Sequence, residues 1–118
     1  MGGRGSSSRS ASVGFGSSPS ALRAHFAERL VKDGAGISVG VAGASPSERS
    51  KVAEAVNLAA GDVFGASSET PKAQLSRSLG TGIRFASFGG VKVPVSENPS
   101  DAELRGAYAL AKRKKEGR

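Results

Sequence analysis

The residues of this chain best suited to chemistry are cations, and they gather at its end. Lys112, Arg113, Lys114, Lys115 and Arg118 put five positive charges in seven positions against the single carboxylate of Glu116, with Arg105 one to two turns earlier. Such a set suits phosphate oxygens, which offer charge along a nucleic acid without identifying its bases. A second, smaller candidate is the turn that holds Gly43, Ser45, Ser47 and Arg49. There a guanidinium beside the exposed amides of a helix start suits a weakly held anion. Nothing comparable is offered for catalysis. His25 is the sole histidine and cysteine is absent, so a nucleophile would have to pair one of many serines with one imidazole. A metal site would need carboxylates around that histidine. No enzyme activity, metal or cofactor is therefore expected.

The net charge of +7 gains meaning from its position. Residues 1–18 hold Arg4 and Arg9 and no acid, and residues 19–103 hold nine basic and nine acidic side chains. Residues 104–118 hold six basic side chains against one acid. The middle is neutral and the excess sits at the ends. With aromatics at 5% and no tryptophan, large anchors for a protein interface and stacking platforms for bases are scarce. The absence of cysteine fits a reducing compartment, and no apolar run approaches the ~20 residues that span a bilayer. A soluble, cytoplasmic protein without membrane contact is expected.

The elements that would position these cations are legible in outline. Twelve of the first eighteen residues are glycine or serine, which predicts a disordered tail over 1–18. Ser18-Pro19 opens a helix over 19–32, with Leu22, Phe26 and Leu30 on one stripe and Gly34 as its stop. Ile37, Val39 and Val41 alternate with small residues, which predicts a strand over 36–42. Ser45-Pro46-Ser47-Glu48 combines an N-cap, a proline at the first helical position and a capping-box glutamate, and starts a helix over 46–60. Thr70-Pro71 with Leu75 and Leu79 predicts a short helix over 71–79. Gly89-Gly90 joins strands 83–88 and 91–95 as a hairpin, and Pro94 places the second at an edge or with that position turned outward. Ser100 and Glu103 supply another capping box, for a helix over 100–115 whose stripe runs through Leu104, Ala107, Tyr108 and Ala111. The fold class is α+β, a small antiparallel sheet of about three strands with helices. One domain over 19–111 carries a basic tail over 112–118.

Several resemblances bear on function. The turn Gly43 to Ser50 resembles a phosphate-binding P-loop, but Glu48 stands where that pattern has its second glycine and Arg49 where it has lysine. A carboxylate there opposes phosphate, and the helix cap alone accounts for these residues. The expected order β-α-α-β-β-α over about 36–115 resembles the eukaryotic-type KH module, though the basic GxxG loop is replaced by Gly61-Asp-Val-Phe-Gly65. A hairpin followed by Arg105, Tyr108 and Lys112 resembles small ribonuclease toxins. The opening MGGRGSSS resembles the start of small prophage-encoded proteins found near head-morphogenesis genes, which implies a phage or mobile-element source. The reading that results is a small basic protein that contacts DNA or RNA phosphates non-specifically through its ends. The alternatives are a phage-type structural or regulatory protein that binds a phage or host protein, and a small ribonuclease-like toxin. Calorimetric titration with ATP or GTP should show no micromolar binding, and Arg49→Ala should leave that result unchanged.

Overall fold

Serine side chains fix where the helices begin. Ser18 Oγ accepts the Ala21 amide at 3.2 Å, and Pro19 takes the first position of α1 (Pro19–Asp33). Ser45 Oγ accepts the Glu48 amide at 3.2 Å while Glu48 Oε1 accepts the Ser45 amide at 2.8 Å, a complete capping box for α2 (Pro46–Phe64). Ser100 Oγ accepts the Glu103 amide at 3.1 Å at the start of α3 (Asp101–Lys115). The computed structural model describes residues 17–116, so most of the expected 1–18 tail, and Arg118, lie outside the described residues.

Three helices and a three-stranded antiparallel sheet make an α+β fold. The strands are β1 (Gln74–Leu75), β2 (Ile83–Phe88) and β3 (Val91–Ser96), in that spatial order. Gly89 and Gly90, at φ 57° and 92°, close the β2–β3 hairpin with the left-handed backbone that a two-residue turn requires. Register then assigns the faces. Ala86, Phe88, Val93 and Val95 turn toward the helices and are buried, whereas Phe85, Pro94 and Lys92 are exposed on the other side. Helices α2 and α3 cover the inner face, and α1 packs Leu22, Phe26 and Leu30 against α2. No helix among the described residues is long and apolar enough to cross a membrane.

Polar side chains complete the outer edge of β3. Pairing of Phe88 with Val91 across the turn leaves the backbone groups of Pro94 and Ser96 pointing away from β2. Asn57 Nδ2 donates to Pro94 O at 2.9 Å and to Glu103 Oε2 at 3.0 Å. The Ser96 amide donates to Glu103 Oε2 at 2.7 Å, and the Ser96 hydroxyl donates to Glu103 Oε1. Glu103 thus does not complete the capping box expected of it. Its amide is capped by Ser100, but its carboxylate turns inward to β3.

This arrangement explains the differences from the sequence reading. The segment 36–42 is not a strand: a 3-10 turn occupies Gly34–Gly36, Ile37 leaves it with extended backbone, and residues 37–42 join no sheet before the turn at Ala42 and Gly43. Ile37, Val39 and Val41 still alternate half-buried with exposed neighbours, so the face was legible and the pairing was not. Pro94 has no N–H to give and its carbonyl is already taken by Asn57, so the adjacent edge offers no ladder. The segment 71–79 is not a helix either. Leu75 pairs beside Ala86, Leu79 is 74% exposed, and the Ser76 amide donates to Phe85 O at 2.8 Å. Ser76 Oγ also accepts the Phe85 amide at 2.9 Å, so the free edge of β2 recruits this segment over a helix too short to stand alone. Helix α2 continues through Gly61 to Phe64, one turn past the expected 46–60, whereas α3 ends at Lys115, where its helix was expected to end, so Lys112–Lys115 are helical. The order α-α-β-β-β-α therefore departs from the KH-like order.

Helices α2 and α3 touch backbone to backbone. A Cβ on Gly106 would lie 1.9 Å from the Asn57 carbonyl oxygen. Helix propensity alone favours alanine over glycine by ~1 kcal/mol, but overlap with a backbone atom has no soft escape. Gly106→Ala should therefore destabilise the protein by about 1–3 kcal/mol in urea unfolding.

Candidate nucleic-acid interface

Positions 105, 108, 112 and 115 of α3 are spaced three or four residues apart and share one face. That face meets the chain leading into β1 and the tip of the hairpin. Lys112 and Lys115 from α3, Lys72 from the incoming loop, and Gly89 from the turn surround a recess of about 250 Å³ floored by Phe88, Tyr108 and Ala111. Phe88 fixes Tyr108, with ring centroids 5.5 Å apart at 54°, and Lys112 Nζ lies 5.5 Å from the Tyr108 ring centroid. Such a cation–π contact at an exposed site holds an ammonium with ~0.5–1 kcal/mol. Arg105 reaches the same loop, its guanidinium donating to Thr70 Oγ1 at 3.3 Å, two residues before Lys72. Lys92 is exposed on the hairpin two residues past the turn. No carboxylate lines the recess.

The six cations read from the sequence are thereby divided. Arg105, Lys112 and Lys115 stand on the common face, while Arg113 turns away, with Glu116 at 3.7 Å and its guanidinium 5.0 Å from the Phe64 ring centroid. Lys114 is exposed, and Arg118 is outside the described residues. Sequence reasoning missed Lys72, because only the path of the loop brings it to α3. Tyr108 was visible as part of the apolar stripe, but not as the floor of a basic recess.

The turn at Gly43, Ser45, Ser47 and Arg49 uses most of its amides internally. The Ala44 amide donates to Val41 O, those of Ser45 and Glu48 form the capping box, and that of Arg49 donates to Ser45 O, while Pro46 has none. Ser47 Oγ lies 3.4 Å from Ser45 Oγ, Gly43 takes φ 80° in the bend, and the Arg49 side chain lines an apolar cavity instead of overhanging the turn. His25 is half-buried with its ring edge-on to Phe26 at 5.1 Å. Burial, and then the charge of Arg29, push its imidazole below the ordinary value against the pull of Glu28. Among the described residues no cluster of three His, Asp or Glu side chains gathers as a metal site. Across the molecule, Arg23 donates to both oxygens of Asp62 at 2.7 Å. The hydrogen bond from Arg23 holds the Asp62 carboxyl below the usual carboxylate range. Both side chains are more than two-fifths exposed, so this α1–α2 bridge adds under about 1 kcal/mol.

No protein family, no curated protein and no solved structure matches the chain.

Ammonium groups gathered without a carboxylate repel one another, and salt screens that repulsion. Raising ionic strength from ~0.01 to ~0.1 M shortens the Debye length from ~30 to ~10 Å, and should raise the thermal unfolding midpoint. Lys115→Gln should flatten that dependence in the same scanning calorimetry.

Proposed function

We propose that this is a small non-enzymatic protein that binds DNA or RNA by its phosphates, without sequence preference, on the face formed by Lys72, Arg105, Lys112 and Lys115. The observation that carries this reading is the convergence of three lysines, from two stretches forty residues apart, on one recess with no carboxylate in its lining. A backbone phosphate in that recess would accept hydrogen bonds from the lysines, with the Tyr108 side chain beneath it. Rigid positions on α3 and the hairpin shoulder favour this face over a freely moving tail, because fewer side-chain rotamers must be fixed on binding. A source in a phage or mobile element, suggested by MGGRGSSS, belongs to the same reading.

Four phosphate contacts give a slope of log K against log salt of about −3.6 on duplex DNA, with Kd of ~10⁻⁴–10⁻⁶ M at physiological salt. Fluorescence anisotropy across a salt series tests this. Lys112→Gln and Lys115→Gln should each weaken binding to all sequences alike and reduce the slope by about 1, and Arg113→Gln should leave the slope unchanged. If Arg113→Gln matters as much as Lys115→Gln, the contact is a diffuse charged helix end. If the full chain shows no salt-sensitive binding to DNA or RNA, the reading fails and a protein partner takes its place.

A further inference from the structure

The sheet turns one face away from the helices, and on it stands the one exposed aromatic ring among the described residues, Phe85, at 45%. The register sets its neighbours. Gln74, Ser87 and Lys92 form a row across β1, β2 and β3, and Phe85 comes two residues before Ser87 on β2, paired with Pro94. Phe85, Ser87, Lys92, Gln74 and Ser76 line a recess of about 600 Å³ that holds a cation and no carboxylate. Phe85 also borders the apolar cavity lined by Val39, Val41 and Val56, which has no acid in its walls either.

A single exposed apolar side chain is ordinary on a protein surface. What distinguishes Phe85 is its anchorage and its company. Its amide donates to Ser76 Oγ at 2.9 Å and its carbonyl accepts from the Ser76 amide at 2.8 Å, so the backbone beneath the ring is held from both strands beside it. A side chain so mounted loses little freedom on meeting a flat partner. The face is also continuous with the basic recess. Gly89, in the hairpin turn, lines that recess with Lys72, Lys112 and Lys115, and Lys92 carries positive charge from the turn onto the outer face. From Gly89 back to Phe85 is roughly 14 Å at ~3.4 Å per residue, a length that a few nucleotides span.

Phosphates held by the lysines would therefore bring bases to the level of Phe85. A duplex keeps its base faces stacked inside, so only an unpaired strand can offer one to a ring. Tyr108 has Phe88 and Lys112 already against its own ring. We propose that the outer face of the sheet is a stacking site for an unpaired base of single-stranded DNA or RNA, with Phe85 as the platform and Lys92 on an adjoining phosphate. This rests on the phosphate-binding reading of the basic recess and goes further, in that it makes single strands the preferred form.

The chain has no tryptophan, so Phe85→Trp places a lone indole at the platform. Saturable quenching of its fluorescence is expected with oligo-dT of about twelve nucleotides, a length within the ~4–16 of known single-strand sites, and none with a duplex of equal length. In anisotropy titrations, Phe85→Ala should weaken oligo-dT binding by at least about fivefold and duplex binding by less than about twofold, while Phe85→Tyr keeps the parent affinity for both. Lys92→Gln should lower the single-strand slope of log K against log salt by about 0.7. Phe85→Trp reads the site directly should the alanine variant unfold. Oligo-dT binding that leaves the indole unquenched, or a Phe85→Ala effect that is absent or equal on both forms, overturns the stacking site while the phosphate-binding reading stands. Absence of salt-sensitive binding to either form removes both.

Discussion

The Glu103 carboxylate is wholly buried with no ion-pair partner among the described residues, and the fold is arranged to make that tolerable. Removing a carboxylate from water without compensation costs several kcal/mol. Here it accepts hydrogen bonds from the Ser96 amide, the Ser96 hydroxyl and Asn57 Nδ2, and it stands in the first turn of α3, where helix amides favour negative charge. Each donor comes from a different element than the acceptor. The network therefore fixes α3 against both β3 and α2, and removing any member would take a hydrogen bond from another buried polar group.

Much of the remaining geometry follows from this constraint. Asn57 can reach Glu103 and Pro94 together only if α2 lies close to both, and Gly106, one turn beyond Glu103, is where α3 yields space to the Asn57 backbone. The alanines of the two helices, Ala55, Ala59, Ala60, Ala107 and Ala111, keep the rest of that contact thin. A polar edge also keeps the preceding segment from joining the sheet. Val39 and Val41 stand beside β3 without bonding to it, and the space left between them and α2 is the apolar cavity.

What could be read from the sequence was local. Ser-Pro before each of the first two helices, the 3.6-residue spacing of Leu22, Phe26 and Leu30, and Gly89-Gly90 between alternating strands each act within a few residues, and each is found where expected. The failures share a cause. The alternation of Ile37, Val39 and Val41 does encode a half-buried extended segment, but a strand needs a partner edge, and Asn57 had occupied it. Leu75 and Leu79 have helical spacing, yet the unfilled edge of β2 outweighs that weak signal. Glu103 has the right type and spacing for a capping box, and only the tertiary position of Ser96 draws it inward. The candidate interface divides likewise: the cations of α3 are plain in sequence, while their separation into one face with Lys72 and another with Glu116 depends on how α3 is rotated against the sheet.

The two sides of the sheet end in different ways. A sheet border with free amides and carbonyls is a template for pairing with other copies, and proteins must blunt it. On the β3 side, Asn57 and Glu103 occupy the groups of Pro94 and Ser96. On the other side, β1 is only two residues long, and the Ser76 carbonyl beyond it accepts from Arg84 Nε at 3.0 Å. Among the described residues of the sheet, a neighbouring molecule thus meets no run of free backbone long enough to hold a strand. The chain can carry a sheet with one face turned from its helices, and Phe85 exposed on it, without inviting intermolecular β-assembly at high protein concentration.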